Sequence, residues 1–475
     1  MSPGRRIGAG REGGLRSAGF GGKRARGEHH MRVRMIAGAV ALAALILAVG
    51  ASAKPPGSDA ASTVALQWNA NAVAAVRAAT TTNQLPPGTT SRALYQTEGL
   101  LYMSYVQAAV YDAATKIGHR YVPYHHFSVG GGNASIEAAV IAAAYNTLVD
   151  YLGHTSTLDG QYAASIGALP HDQNTARGIA VGEAAAADIE ALRANDGRNA
   201  ASPSPNVGTP TNPVQAGVWM WPSAPSLQID QTPWMAVMQP FMLESTSQFR
   251  APHPPALTSA QYAHDLNETE ASGSNLPAND PRRDTAWFWN ANATSQLNKT
   301  LQDFATQNDM DLLDTVRLLA AGNMVPTDAG MACFDSKYTY RFWRPITAIR
   351  NADLDGNANT TANTGWSPLT TTPNHPEYPS QHGCVTSALA QVLARAVGTD
   401  EIDATIWGAT AASPTALVTS RTYPTVQNLL DELVNARVWI GFHFRNSVIA
   451  GENLGTSVAN WELQRNFLPT NGKGG

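Results

Sequence analysis

The chain has 475 residues, 43% of them hydrophobic, and is therefore long enough to bury a sizeable core. Its 32 Lys and Arg residues against 36 Asp and Glu residues give a formal net charge of −4. This acidic balance argues against nucleic acid or an anionic membrane as the main partner, because both attract basic surfaces.

Residues 1–53 are predicted to be an N-terminal extension followed by a secretory signal peptide. The first thirty residues are rich in Gly and Arg and show no apolar periodicity. Arg32 and Arg34 then precede an apolar run of about 15 residues, and small residues at 51–53 form a cleavage site. This run is shorter than the roughly 20 residues that span a bilayer. We therefore expect export to the periplasm or the extracellular space, with cleavage near Ala53 and no membrane span.

The rest of the chain, 54–475, is predicted to be all-α. Cleavage near Ala53 removes nine basic and two acidic residues, which makes the net charge −11 rather than −4. Apolar residues recur at spacings of three and four in 94–117, 134–152 and 175–196, and the same pattern returns after residue 284. No segment alternates for long enough to predict a sheet. We expect helical bundles in a single domain, with the functional site in the core of the C-terminal helical group, about 285–465.

Two loops rich in Pro, Ser and Asn, 197–226 and 351–379, interrupt the helical pattern. The second leads directly into the sequence PEYPSQHG at 376–383, and long loops of this kind often serve function. The two cysteines, Cys333 and Cys384, are predicted either to form a disulfide in an oxidising compartment or to stay as buried free thiols.

The first stretch that could carry chemistry is KYTYRFWRP at 337–345. Lys337 and Arg344 are seven residues apart, which would place both cations on one face of a helix. Pro345 predicts a kink or a helix end at Arg344. The two cations could form a solvated charged face. However, the aromatic residues between them suggest burial, and buried cations without nearby acids need an anion.

The second stretch is PEYPSQHG itself. Ser380, Gln381 and His382 are predicted to lie at the N-terminus of a helix that continues through 384–398, where free backbone N–H groups favour an anion. Ser380 could equally be an ordinary N-cap. A serine nucleophile with His382 as its base is disfavoured, because a nucleophile elbow has glycines on both sides of the serine.

The third stretch is ARVWIGFHFRNS at 436–447. Arg437 offers a planar fork for an oxyanion, and His443 follows six residues later, which we interpret as the same apolar helix. Ser447, at i+4, would then be close enough to orient the imidazole. Taken alone, His443 is more simply a core histidine. Together, the three stretches supply the cations, N–H groups and histidines that hold an oxyanion.

These residues resemble the superfamily that unites vanadium-dependent haloperoxidases with type-2 phosphatidic acid phosphatases and bacterial acid phosphatases. Its motifs are K-x6-R-P, P-S-G-H and S-R-x5-H-x3-D, in this order. The matching residues are Lys337 with Arg344 and Pro345, then Pro379, Ser380 and His382, then Arg437 and His443. Gln381 stands for the glycine, Ala436 for the serine and Ser447 for the aspartate. The likeness to bacterial haloperoxidase-like proteins runs from about residue 95 to 465.

The resemblance implies a role for each matching residue. Lys337, Arg344, Ser380, Arg437 and the backbone N–H of Gln381 would hold the oxygens of vanadate or phosphate. His443 would be the axial ligand of vanadium or a phosphorylated nucleophile, and His382 the acid and base. Ser447 would support His443 as a weaker partner than aspartate.

The implied function is a vanadium-dependent haloperoxidase with vanadate as cofactor. Its substrates would be hydrogen peroxide, halide and an organic acceptor. Two alternatives stay open: a soluble acid phosphatase that hydrolyses phosphate esters through a phosphohistidine at His443, and a catalytically degenerate homologue that only binds an oxyanion. Whether the chain forms a homo-oligomer also stays open.

Overall fold

Helices dominate the structure, as the spacing of apolar residues predicts. The computed structural model describes residues 60–86, 88–200, 213–221 and 229–470. The N-terminal helices are α1 (Ala60–Ala78), α2 (Gln96–Gly118), α3 (Ile136–Leu152), α4 (Ser156–Gly167) and α5 (Gln173–Arg193). The C-terminal helices are α6 (Ala260–Glu270), α7 (Pro281–Phe288), α8 (Ala293–Gln307), α9 (Leu312–Tyr340), α10 (Pro345–Arg350), α11 (Gln381–Val397), α12 (Val426–Trp439) and α13 (Arg445–Leu463). The all-α prediction is confirmed.

Polar side chains at the helix starts explain where the predicted helices begin. The Ser135 side chain accepts a hydrogen bond from the backbone N–H of Ala138 at the start of α3, and Asp172 accepts one from Thr175 at the start of α5. Such N-caps satisfy N–H groups that have no partner within the helix. Two helices predicted at 134–152 and 175–196 are therefore present, with starts shifted by about two residues.

The long helical segment near the C-terminus is broken, which the sequence interpretation did not anticipate. Gly441 has a φ of +83° and donates its N–H to the carbonyl of Val438, which ends α12. The chain starts a helix again only at Arg445. Arg437 and His443 therefore do not share a helix, and the expectation that they do was wrong: His443 lies in the connection between α12 and α13.

Two small antiparallel sheets accompany the helices in the described part of the chain. The larger is a hairpin of β3 (Glu401–Gly408) and β4 (Thr419–Thr425), in which Ala404 pairs with Tyr423. The smaller pairs β1 (Thr80–Thr81) with β2 (Arg92–Ala93). The expectation of no sheet was wrong for the hairpin, since residues of β3 alternate between buried and exposed over its whole length.

The core is centred on α9, whose residues from Leu312 to Lys337 are almost all buried. This helix packs against α2, α8, α11 and α13. Helices α11 and α13 approach closely because glycines face the neighbouring backbone: a Cβ on Gly451 would lie 2.6 Å from the carbonyl oxygen of Ser380. As a result, the N–H of Ser380 donates to the carbonyl of Ser447, 3.0 Å away.

The predicted extension and signal peptide, 1–53, lie outside the described residues. The described residues, from 60 to 470, belong to one compact unit. Among the helices of the described part, none combines the length and apolarity needed to cross a membrane. Cys333 on α9 and Cys384 on α11 are both buried free thiols. Of the two alternatives that the sequence left open, the structure therefore has free thiols and not a disulfide.

Candidate oxyanion site

Lys337 lies in the last turn of α9, fully buried. Its Nζ donates to the carbonyl oxygens of Pro376 at 2.8 Å and Glu377 at 2.9 Å. Burial, with a smaller contribution from the nearby Arg344 charge, lowers the pKa of Lys337 to about 8. Helix α9 ends at Arg341 with left-handed backbone geometry. Lys337 and Arg344 are therefore not on one helix face, and their proximity comes from the tertiary fold.

Arg344 is the N-cap of α10, with the extended backbone that a following proline favours. Its Nε donates to the carbonyl oxygen of His375 at 2.9 Å, and its Nη1 to that of Phe442 at 3.0 Å. Nη1 also contacts His443 Nε2 at 3.2 Å, while Nη2 contacts His375 Nδ1 at 3.0 Å. Burial lowers the pKa of Arg344 to about 10. The guanidinium thus links His375, next to the 376–383 segment, to the connection that carries His443.

The segment PEYPSQHG turns into α11 after a cis peptide bond between Tyr378 and Pro379. Ser380 is the N-cap of α11, and its Oγ accepts from the N–H of Gly383 at 3.5 Å. The backbone N–H groups of Gln381 and His382 open the helix, where no intrahelical acceptor exists for them. The predicted helix start is confirmed, together with the capping role of Ser380. Two donors are left at a positive helix end.

His443 is held by a carboxylate that the sequence interpretation overlooked. Its Nδ1 lies 2.9 Å from Glu377 Oε1, and the same oxygen accepts the backbone N–H of Phe444 at 3.1 Å. Glu377 is fully buried. Burial raises the pKa of Glu377 to about 7, against the opposing charges of Arg344 and Lys337. The contact joins residues that are 66 positions apart in the chain.

The tautomer of His443 follows from its two neighbours. Arg344 has only donors, so His443 Nε2 must accept, and Nδ1 therefore carries the hydrogen that is donated to Glu377. Burial, followed by the charges of Arg344, Lys337 and Arg437, holds the pKa of His443 well below its usual value. The imidazole is consequently neutral, with a lone pair on Nε2.

Ser447 does not orient the imidazole, contrary to the expectation from its position at i+4. It lies in α13, and its hydroxyl is 3.5 Å from the carbonyl oxygen of Glu377. Glu377 takes the part expected of Ser447. The sequence did contain a sign of this role for Glu377. Glu377 is the single acidic residue of PEYPSQHG, and a carboxylate that is buried close to cationic motifs needs hydrogen-bond partners.

Arg437 approaches the same centre from α12. Its Nη1 donates to the carbonyl oxygen of Trp289 at 3.0 Å, but its buried Nε has no partner among the described residues. Burial lowers the pKa of Arg437 to about 9, and the Arg344 charge contributes. His382 Nε2 is likewise buried without a partner, and burial together with Arg437 holds the pKa of His382 well below its usual value.

A cavity of about 330 Å³ leads to these groups. Among the predicted site residues, Gln381, His382, Arg437 and His443 line it, whereas Lys337, Arg344 and Ser380 are not part of the lining. His375, which the sequence interpretation did not single out, lines it as well. Three buried cations face one buried carboxylate, and two buried nitrogens lack partners. This arrangement fits a bound oxyanion such as vanadate or phosphate, which would supply both charge and acceptors.

Comparisons with known proteins show which proteins the chain is similar to. The family model described as the VCPO second helical-bundle domain matches residues 317–470, which include every predicted site residue. The vanadium chloroperoxidase of Curvularia inaequalis is 29% identical over 131 residues, 26% of this chain and 20% of that protein. The chain thus matches about a fifth of the length of that curated relative.

Solved structures show the same fold over most of the chain. A bacterial vanadium-dependent iodoperoxidase superposes with a TM-score of 0.66 at 18% identity, covering 85% of this chain and 97% of that one. A holo-type bacterial vanadium-dependent chloroperoxidase gives 0.62 at 21% identity, covering 77% and 91%. The chain therefore shares the fold of bacterial vanadium haloperoxidases, and its residues 317–470 match the VCPO second helical-bundle domain.

Proposed function

We propose that the chain is a vanadium-dependent haloperoxidase, which oxidises halide with hydrogen peroxide. The observation that carries this proposal is the contact between His443 and Glu377 within a group of three buried cations. The contact provides a neutral imidazole with a fixed lone pair, and the cations provide the charge that an oxyanion requires.

Five groups would hold the oxygens of vanadate. They are Lys337, Arg344 and Arg437, the hydroxyl of Ser380 and the backbone N–H of Gln381. His443 Nε2 would be the ligand to the metal, once Arg344 Nη1 turns from the imidazole to the anion. Bound vanadate supplies a Lewis-acid centre that activates peroxide without changing its own oxidation state.

The protein's own groups then position this ligand and move protons. Glu377 keeps the hydrogen on His443 Nδ1, so that the Nε2 lone pair stays directed into the site. His382 is neutral and its Nε2 is free of protein partners. It can therefore take a proton from incoming peroxide and return one to the departing oxygen.

The test is reconstitution of purified protein with orthovanadate, followed by the oxidation of iodide to triiodide by hydrogen peroxide. We expect turnover that requires vanadate and is lost in His443→Ala. Ser295→Ala, at a half-buried position of α8 outside the cavity lining, serves as the matched control and should keep the activity. A folded, vanadate-loaded protein that oxidises neither iodide nor bromide would refute the proposal.

A second candidate is an acid phosphatase that uses His443 as a phosphorylated nucleophile. The Nε2 lone pair and the carboxylate on Nδ1 favour this chemistry as much as metal ligation. Hydrolysis of p-nitrophenyl phosphate that disappears in His443→Ala would establish it. Phosphate binding without either activity would instead identify a degenerate oxyanion-binding homologue.

We also propose that the protein is exported by the signal peptide predicted at 31–53. The support is the sequence pattern alone: a basic start, an apolar run and a small-residue cleavage site. Mass spectrometry of the secreted protein should find a mature N-terminus near residue 54. Retention of the uncleaved chain inside the cell would contradict export.

A further inference from the structure

A second cavity of about 330 Å³ lies at the opposite end of the helices that carry the oxyanion groups. Lys337 is in the last turn of α9 and Ser380 caps the start of α11, whereas this cavity is lined by the first turns of α9 and the last turns of α11. The 20 positions from Arg317, in the lining, to Lys337 correspond to roughly 30 Å along α9. None of the described residues lines both cavities. The second cavity is therefore separate from the site described above.

Part of the lining of this cavity is apolar and belongs to the protein core. The buried apolar side chains come from α9, from α11 and from the end of α13 and the residues after it: Leu318, Ala321, Val392, Leu463 and Phe467. An apolar group that enters the cavity would leave water and contact these side chains, which is favourable in proportion to the area removed from water. The volume is within the range of cavities that bind small organic molecules.

Arg317 is a half-buried cation in the same lining. Its Nε donates to the carbonyl oxygen of Phe467 at 2.8 Å, and its guanidinium carbon lies 4.6 Å from the centre of the Tyr121 ring. Asp314, one turn earlier on α9, instead pairs with Arg120 at 3.4 Å and accepts from the Tyr121 hydroxyl. Among the described residues, no carboxylate forms an ion pair with Arg317. The guanidinium is thus held in place while its Nη groups are available to an anion.

A second arginine lines the cavity from the last turn of α11. Arg395 is exposed, and it too lacks an ion-pair partner in the part of the chain that the structure describes. The acidic residues of the lining are Asp314, whose partners are given above, and Asp309, which is exposed between α8 and α9. Two arginines without carboxylate partners therefore line a cavity that also has a buried apolar surface. A guanidinium binds a carboxylate through two parallel hydrogen bonds.

We propose that this cavity binds a small monocarboxylate with an apolar chain, a medium-chain fatty acid. Its carboxylate would accept hydrogen bonds from the Nη groups of Arg317 and from Arg395, and its chain would lie against the buried apolar side chains of α9, α11 and the end of α13. The inference does not depend on the proposed function, because it involves none of the oxyanion groups.

The first experiment compares octanoate with 1-octanol, which has the same chain without the charge, by calorimetric titration of the protein. We expect octanoate to bind at least about tenfold more tightly, the equivalent of one charge-assisted hydrogen bond. Butyrate keeps the carboxylate but has a shorter chain, and should bind at least about tenfold more weakly than octanoate. Absence of octanoate binding, or an affinity for octanoate no higher than that for octanol or butyrate, would overturn the proposal.

Arginine variants test which groups bind the carboxylate. Arg317→Met and Arg395→Met should each weaken octanoate by at least about fivefold without changing the affinity for octanol. Arg395 is exposed, so its variant keeps the test valid if Arg317→Met does not fold. Arg465→Met, at an exposed position just after α13 and outside the lining, is the matched control and should leave octanoate binding unchanged. Unchanged octanoate affinity in Arg395→Met would refute the proposed contact.

A second pair of variants tests in which cavity octanoate binds. Ala396→Trp would fill the second cavity from an exposed position in the last turn of α11, and should weaken octanoate by at least about tenfold. Ala293→Trp would fill the cavity in front of the oxyanion groups instead, and should leave octanoate binding unchanged. The reverse pattern would place the carboxylate at the oxyanion groups and refute the inference. Failure of iodide oxidation would refute the proposed function while leaving these binding results intact.

Discussion

The pairing of Glu377 with His443 leads to a prediction about how the site distinguishes oxyanions. We consider Glu377→Gln, which keeps the shape of the side chain and one acceptor but removes the negative charge. In the wild type, Oε1 accepts from His443 Nδ1 at 2.9 Å and from the Phe444 N–H at 3.1 Å. In the variant, the acceptor of both hydrogen bonds is a neutral amide oxygen instead of a charged carboxylate oxygen.

The magnitude follows from the loss of charge. A hydrogen bond to a charged group contributes about 1.5–3 kcal/mol and a neutral one about 0.5–1.5 kcal/mol. The difference of about 1–1.5 kcal/mol corresponds to a roughly 5–10-fold weaker interaction with a ligand that uses the Nε2 lone pair. Vanadate affinity should fall by this factor.

Sulfate should respond differently to the same substitution. A sulfate ion uses the cations and N–H groups but forms no bond to the imidazole nitrogen. Loss of the Glu377 charge also removes a repulsion, so sulfate affinity should stay constant or increase. Calorimetric titrations with vanadate and with sulfate measure this difference in response. They are done at about pH 7.5, which lies between the pKa of Glu377, about 7, and the pKa of Lys337, about 8.

Ser447→Ala is the matched control for this experiment. The Ser447 hydroxyl lies 3.5 Å from the backbone oxygen of Glu377 and also hydrogen-bonds to the Glu377 carboxylate, but it carries no charge. We therefore expect a smaller change in vanadate affinity than in Glu377→Gln. An equal fall for vanadate and sulfate in Glu377→Gln would show a merely structural role for the glutamate. A larger vanadate effect in Ser447→Ala would refute the assignment of Glu377 as the partner of His443.

Three further predictions follow from other parts of the structure. Sulfate affinity should fall above about pH 8, where Lys337 loses its proton, and calorimetry on Lys337→Met should show no such fall. Gly451→Ala should lower the free energy of unfolding by about 1–3 kcal/mol in urea titrations, because the added Cβ would clash with the carbonyl oxygen of Ser380. The same clash should weaken sulfate binding. Unchanged binding and stability would contradict this prediction. Burial and Asp328 raise the pKa of Glu462 well above its usual range, so the folded state keeps the proton of this carboxyl group. The unfolded state releases the proton as pH rises, and the free energy of unfolding therefore falls with increasing pH. Glu462→Gln should therefore raise the melting temperature more at about pH 8 than at about pH 5, and an equal change at both would contradict it.

Much of the local structure could be predicted from the sequence, because its causes are local. The helical spacing, the N-cap at Ser380 and the start of α11 after the prolines depend on neighbours within a few residues. The three motifs could be placed in order for the same reason. The hairpin of β3 and β4 was missed although its alternation is visible, because a short strand shows only a few repeats of the pattern.

The tertiary structure decided how the site is assembled. The left-handed end of α9 and the glycine at 441 break helices that the apolar pattern continues, and this moved Arg344 and His443 out of the helices assigned to them. Close packing of α11 against α13 then set Glu377 beside His443, across 66 positions of the chain. Residue types and spacing determined which groups are available, whereas the identity of the histidine's partner depends on a long-range contact that no local pattern specifies.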